Sequence, residues 1–110
     1  SMRSAEAIDY AIIGAPNAVE TVRLSAMAEK LGIPSWTQFV GLGINNALGL
    51  HVCAAGPSMT RPHDFVGFWA KEDDCVVEEF PIVDGSVEVP TSPGLGITLD
   101  SDAVERYLVR

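Results

Sequence analysis

The groups in this chain that could exchange a proton, hold a metal or attack a carbonyl are two histidines, two cysteines, a run of acids and a few serines. Their spacing unites few of them. His63 stands beside Pro62 and Asp64, but no second His or Cys lies at ligand spacing, so a zinc-type site has no support. His51, inside the apolar stretch LGLHVCAA, reads as a core histidine. Cys53 and Cys75 form no CxxC and read as two reduced thiols. Glu72, Asp73, Asp74, Glu78 and Glu79 gather between positions 71 and 79, yet they match no calcium loop, and a solvated acidic face is the plain reading. Ser35, Ser58 and Ser92 sit in no GxSxG elbow, which leaves nucleophilic catalysis unsupported. Asn45 and Asn46 follow Gly43 where a helix should begin, a place where free N–H groups favour anions, but helix capping accounts for them.

The elements that would have to position these groups follow an α/β order. Ile8 to Ile13 is a short apolar run closed by Gly14, Pro16 and Asn17, the pattern of a buried strand ending in a turn. Asn17 can cap the helix that follows, with Glu20 in the capping-box position, an apolar stripe of Leu24, Met27, Ala28 and Leu31, and Gly32 as terminator. Pro34 to Val40 reads as a second strand, Ile44 to Ala55 as a buried helix, and Asp64 to Phe68 as a third short strand. Strand, helix, strand, helix is the order of parallel βα units, whose chemistry sits in loops at the C-terminal strand ends. The pattern then changes. Phe80 to Val83 and Ser86 to Val89 flank Asp84-Gly85, a strong hairpin signal, and Asp100 or Ser101 can cap a final short helix through Tyr107.

At 110 residues and 47% hydrophobic, the chain can build one modest core. Seven basic residues against fifteen acids leave a net charge of −8, which repels nucleic acid and anionic membrane surfaces. No apolar run is long enough to span a bilayer and the N-terminus lacks a signal-peptide pattern, so a cytoplasmic protein is expected. Ser1-Met2 reads as a scar of expression, with Met2 as a native start the alternative.

The segment GSVEVPTSPGLGITLD, residues 85 to 100, resembles the sequence that closes enzymes of the enolase superfamily, of the mandelate racemase and muconate lactonizing type. AMAEKLGIPSW and GLGINNALGLHVCAA resemble that family's sixth helix, seventh strand and seventh helix. The resemblance implies the carboxy-terminal part only: residues 3 to 110 as a single domain, with 3 to 69 the last βα units of a TIM-type barrel and 70 to 110 a return segment, containing the β-hairpin and short C-terminal helix, that runs toward the capping domain.

Family chemistry is removal of a proton α to a carboxylate, with a Lys or His base and Mg²⁺ holding the enolate. The resemblance therefore implies a racemase, cycloisomerase or dehydratase. Its metal carboxylates belong to the third, fourth and fifth strands, so this chain alone is expected to bind no metal, carry no catalytic residue and be inactive. Mg²⁺ and a small carboxylate substrate belong to a complete enzyme. The family register places Gly14 and Gln38 where many members carry an Asp-His dyad, and Gly14 also where others carry a sixth-strand Lys. Gln38, through its amide, and Asp64, near the end of the eighth strand, remain as candidate substrate contacts. The missing dyad also fits a different reading, a non-catalytic binding or oligomerisation module reusing these units. Strands cut from a barrel expose edges and an apolar face, so the expected partner is another copy of the chain or the missing remainder of the barrel.

Overall fold

The computed structural model describes residues 7–15, 17–68 and 73–109. The reading of Ser1-Met2, Pro16 in the first turn, Glu72 of the acidic run and the division at 69/70 lie outside the described residues. The elements are β1 (Ala11–Ile12), α1 (Ala18–Lys30), β2 (Ser35–Trp36), β3 (Gln38–Phe39), α2 (Gly43–Ala55), β4 (Asp64–Phe65), a 3-10 turn (Val66–Phe68) and α3 (Ser101–Tyr107). They divide into two units interleaved along the chain, Ser1–Gln38 with Val52–Asp64, and Phe39–His51 with Phe65–Arg110.

In the first unit, α1 begins and ends where its sequence signals lie. Asn17, in extended backbone, accepts from Glu20 N at 2.9 Å. At the other end Gly32 takes φ +64°, while Gly32 N donates to Glu29 O and Ile33 N to Ala28 O, closing a Schellman motif. Of the apolar stripe only Ala28 lies on the buried face. Thr21, Ser25 and Ala28 are buried, whereas Leu24, Met27 and Leu31 stay exposed. Close approach explains this. Ser25 Oγ lies 2.9 Å from Ser58 Oγ and accepts from Ser58 N, Ser58 Oγ also meets Ser35 Oγ at 2.6 Å, and a methyl on Gly56 would come within 2.9 Å of Ser25 Oγ. Three buried hydroxyls that satisfy one another leave room only for small side chains along that helix face.

The strands of this unit are short but ordered as expected. β1 pairs with β2 in parallel, Ala11 with Ser35 and Ile12 with Trp36, and Ser35 also bridges Met59 in parallel. The stretch from Ser35 onward thus lies between residues 11–13 and 59–64. This is the α/β order of consecutive parallel units read from the sequence. The third strand is shorter than expected, since β4 gives way to the 3-10 turn at Val66.

In the second unit all four phenylalanines stack in series: Phe39 on Phe65 at 5.3 Å, Phe65 on Phe68 at 5.1 Å, and Phe68 on Phe80 at 5.9 Å. Gly49 of α2 makes this possible, because a methyl there would lie 2.7 Å from the Phe65 ring and 2.9 Å from Phe39. The hairpin is reduced to its turn. Asp84 and Gly85 take φ 49° and 76°, as a type I′ turn requires, and Val83 and Ser86 exchange both backbone hydrogen bonds. The next hydrogen-bonded pair would be Pro81 with Glu88, and Pro81 has no N–H to give. Instead, residues 75–78 run antiparallel to 97–100, through Val77 N to Thr98 O, Asp100 N to Cys75 O and the Val76–Leu99 bridge. Asp100 then caps α3 by accepting from Asp102 N and Ala103 N.

Much of the acidic run has structural partners here. Asp74 places both carboxylate oxygens on Gly43 N, at 2.9 and 3.0 Å, and so serves the N-terminus of α2. Neither asparagine of that first turn does so: Asn45 Nδ2 donates to Val40 O, and Asn46 is fully buried. Asp73 accepts from Arg106 at 2.8 Å and Tyr107 at 3.0 Å, tying down α3, and the Asp74 N–H followed by Tyr107 and Arg106 holds its carboxyl below the ordinary range. Glu78 accepts from Thr98 N, which lowers its carboxyl likewise.

Candidate functional site

Alternation along a strand decides which side chains of the first unit can meet a ligand. Ile13, Ser35 and Thr37 are buried, while Tyr10, Ile12 and Gln38 are exposed and Trp36 is half-buried. The open face therefore carries two aromatic rings, an isoleucine and an amide. At its lower part Tyr10, Trp36, Arg61 and Pro62 line a shallow recess of about 370 Å³, with the Arg61 guanidinium carbon 5.7 Å from the centre of the Tyr10 ring.

The two residues singled out from the family register, the first residues of β3 and β4, come together. Gln38 Nε2 donates to Asp64 Oδ2 at 2.8 Å. A local irregularity brings them into reach. Arg61 N donates to Ser35 O and Asp64 N to Thr37 O, so a step of two residues on one strand is answered by three on the other, with Pro62 inside the longer step. Such a bulge re-aims the side chains that follow it. The Gln38 amide is also oriented without ambiguity, because its carbonyl oxygen could not face a carboxylate oxygen at that distance. Gly14, the other register position, is exposed, and a methyl there would meet nothing within 4 Å. Glycine at that position is not required by space or by a positive φ.

His63 was not expected to take part, yet it supports this corner. Its Nδ1 accepts from Thr37 N at 3.2 Å, next to the residue that carries the amide. Only an imidazole with its proton on Nε2 can accept there. Burial pushes His63 below the ordinary 6.5. Since the folded-state value is the lower one, the unfolded chain takes up the proton first. The contribution is complete above about pH 6.5 and is lost as the pH falls through that value toward the folded-state one. His63→Asn keeps an acceptor for Thr37 N and removes the titration. The unfolding free energy from urea titrations, with Asp64 and Arg61 unchanged, should fall in the parent between pH 7.5 and 5.5 by about 1 kcal/mol, the scale of one neutral hydrogen bond, and fall less in the variant. Parallel pH curves would show that His63 does not carry the effect.

The remaining nucleophiles and bases have other occupations. Burial pushes the Cys53 thiol up to about 12, which keeps it protonated and unreactive, and both cysteines are free. His51 Nε2 donates to Leu95 O at 3.2 Å. Among the described residues no three His, Cys, Asp or Glu side chains gather to hold a metal ion. The described part of the chain therefore does not fit a Mg²⁺ ion. No described helix is long and apolar enough to cross a membrane.

Residues 2–103 match the protein family described as enolase C-terminal domain-like. The chain is 29% identical over 106 residues to a chloromuconate cycloisomerase of Cupriavidus necator, covering 96% of this chain and 29% of that protein. It is 36% identical over 93 residues to a D-xylonate dehydratase of Haloferax volcanii, covering 82% of this chain and 22% of that protein. Among solved structures, an enolase from Thermobispora bispora complexed with magnesium and formate superposes with a TM-score of 0.81 at 29% identity, covering 96% of this chain and 26% of the other. The chain thus spans less than a third of the length of these proteins.

Proposed function

This chain belongs to the enolase C-terminal domain-like family, and from that premise we propose that it is the closing, substrate-facing segment of a racemase, cycloisomerase or dehydratase acting on a small carboxylate. The observation that carries the reading is the Gln38–Asp64 hydrogen bond, which sets two polar side chains side by side on the first residues of β3 and β4. In this reading both touch substrate. The metal and the base come from the remainder of the barrel, whose strands cover the open face of Tyr10, Ile12 and Trp36. The chain alone is inactive, and a second copy is the occupant of that face when the remainder is absent. Two free thiols fit a cytoplasmic setting.

A second reading keeps the fold but not the chemistry. Gly14 occupies a position where a side chain would fit without strain, so the absent acid or base there is not forced by the backbone. A binding or oligomerisation module would have no need of one.

Exchange of the α-proton of carboxylic acids into D₂O, followed by NMR with Mg²⁺ present, separates the two. The chain alone is expected to give none. Joined to the part of the Cupriavidus cycloisomerase that the match does not cover, it is expected to restore Mg²⁺ binding and exchange. Exchange by the 110-residue chain alone would overturn the first reading, and a folded, Mg²⁺-binding joined protein without exchange would favour the second.

A further inference from the structure

Resting on the reading that a second copy takes the open face of the first unit, we infer that the two copies meet there around one two-fold axis. They lie face to face and strand against reversed strand, with Arg61 of each copy on Asp64 of the other. The need for such an arrangement begins with what faces outward. Tyr10, Ile12 and Gln38 are exposed and Trp36 is half-buried, so this side of the strands leaves apolar surface in water. Copies that each carry a net charge of −8 repel one another, and a contact between them needs local complementarity.

The face supplies it. Arg61 N donates to Ser35 O and Asp64 N to Thr37 O, which sets Arg61 level with Trp36 and Asp64 level with Gln38. The base therefore stands at one end of the face and the acid at the other. Among the described residues the Arg61 guanidinium has no carboxylate partner and lies over the Tyr10 ring. Asp64 spends one oxygen on the Gln38 amide and has the other to offer. A two-fold axis across the strands reverses their direction and keeps their order. Passing between Arg61 and Asp64, it brings each Arg61 against Asp64 of the other copy and each Trp36 against the other's Gln38. Ile12 is level with Trp36, and the same axis sets it against Gly14 of the other copy. A methyl on that glycine would meet nothing within 4 Å, which leaves room for the isoleucine. Three pairs thus agree on one axis. The strands are short, so the buried surface falls below the roughly 1,200 Å² of a stable complex, and the dimer is weak and concentration-dependent.

Sedimentation equilibrium of the 110-residue chain over a wide concentration range tests this, and the parent is expected to dimerise reversibly. Arg61→Asp and Asp64→Arg each turn two opposite-charge contacts into two like-charge ones, and each should weaken the dimer at least about tenfold. An equimolar mixture of the two variants restores both contacts and should dimerise as the parent does, although neither variant does so alone. Gly14→Phe, which nothing in the chain opposes, fills the room for Ile12 and should weaken the dimer as well, so it decides the matter where a charge reversal does not fold. Dimerisation abolished by Ile12→Asp but indifferent to the reversals, to their mixture and to Gly14→Phe would overturn the two-fold arrangement and leave a second copy on that face. A parent that stays monomeric, or a dimer that Ile12→Asp leaves intact, would overturn both.

Discussion

Replacing Gly67 with alanine should destabilise the chain by about 3 kcal/mol under conditions where Gly14→Ala has no effect. Gly67 is buried in the 3-10 turn that follows β4, and a methyl built on it overlaps the carbonyl oxygen of Gly41 and lies 2.9 Å from Asn46 Nδ2. The obstacle is backbone rather than the tip of a flexible side chain, so it yields only if the whole Gly41 loop moves. That loop joins Phe39, which stacks on Phe65, to the start of α2. Overpacking that displaces backbone costs about 1–3 kcal/mol and occasionally more, a large share of the roughly 5–15 kcal/mol that holds a domain folded. Gly14 gives the contrast: a methyl there meets nothing within 4 Å, so its substitution should stay within about 0.5 kcal/mol. Urea unfolding followed by circular dichroism measures both. A cooperative transition in Gly67→Ala with a midpoint close to the parent's would show that the approach of Gly41 and Gly67 is not fixed in solution.

The same pair of glycines marks the limit of what was legible in the sequence. Features set by neighbours in the chain were readable: the Asn17 cap with Glu20 N, the Gly32 terminator, the Asp84-Gly85 turn and the Asp100 cap all occur where residue type demands them. Features set by distant neighbours were not. Periodicity placed Leu24, Met27, Ala28 and Leu31 on one stripe, of which only Ala28 is buried, and the hydroxyls of Ser35 and Ser58 determine that Ser25 faces inward beside it. The hairpin signal was right about the turn and silent about Pro81, whose missing N–H lies opposite Glu88 and stops the ladder. The acids at 73, 74 and 78 read as solvated because their partners, Arg106, Gly43 and Thr98, lie far along the chain.

The candidate site divides in the same way. Gln38 and Asp64 were reached through family resemblance, since a lone amide and a lone carboxylate carry no motif of their own. That they share a hydrogen bond depends on the extra residue between Arg61 and Asp64, and the sequence offered only Pro62 as a sign that the strand was irregular there. The support from His63 depends on a contact with a backbone N–H, a partner that every residue possesses and no pattern reveals.

Asn46 supplies the second large expected effect, and its sign runs against the usual rule for buried residues. Truncating a fully buried side chain normally destabilises, because contacts are lost and a cavity is left. Asn46 is 0% exposed, yet neither its Oδ1 nor its Nδ2 has a hydrogen-bond partner. Each unpaired polar atom away from water costs about 1–3 kcal/mol, and asparagine is also a poorer helix former than alanine by about half a kcal/mol. Against this, the cavity left by removing a short amide is small. Asn46→Ala should therefore raise the urea midpoint, with a gain of about 1–2 kcal/mol once the lost contacts are set against the removed desolvation cost. Asn46→Asp should do the reverse and more strongly, because it places an unpaired charge where an unpaired dipole was already unfavourable. The alanine variant is the sharper test. If it unfolds more easily than the parent, the amide is bonded in solution, and the cost assigned to it here is wrong.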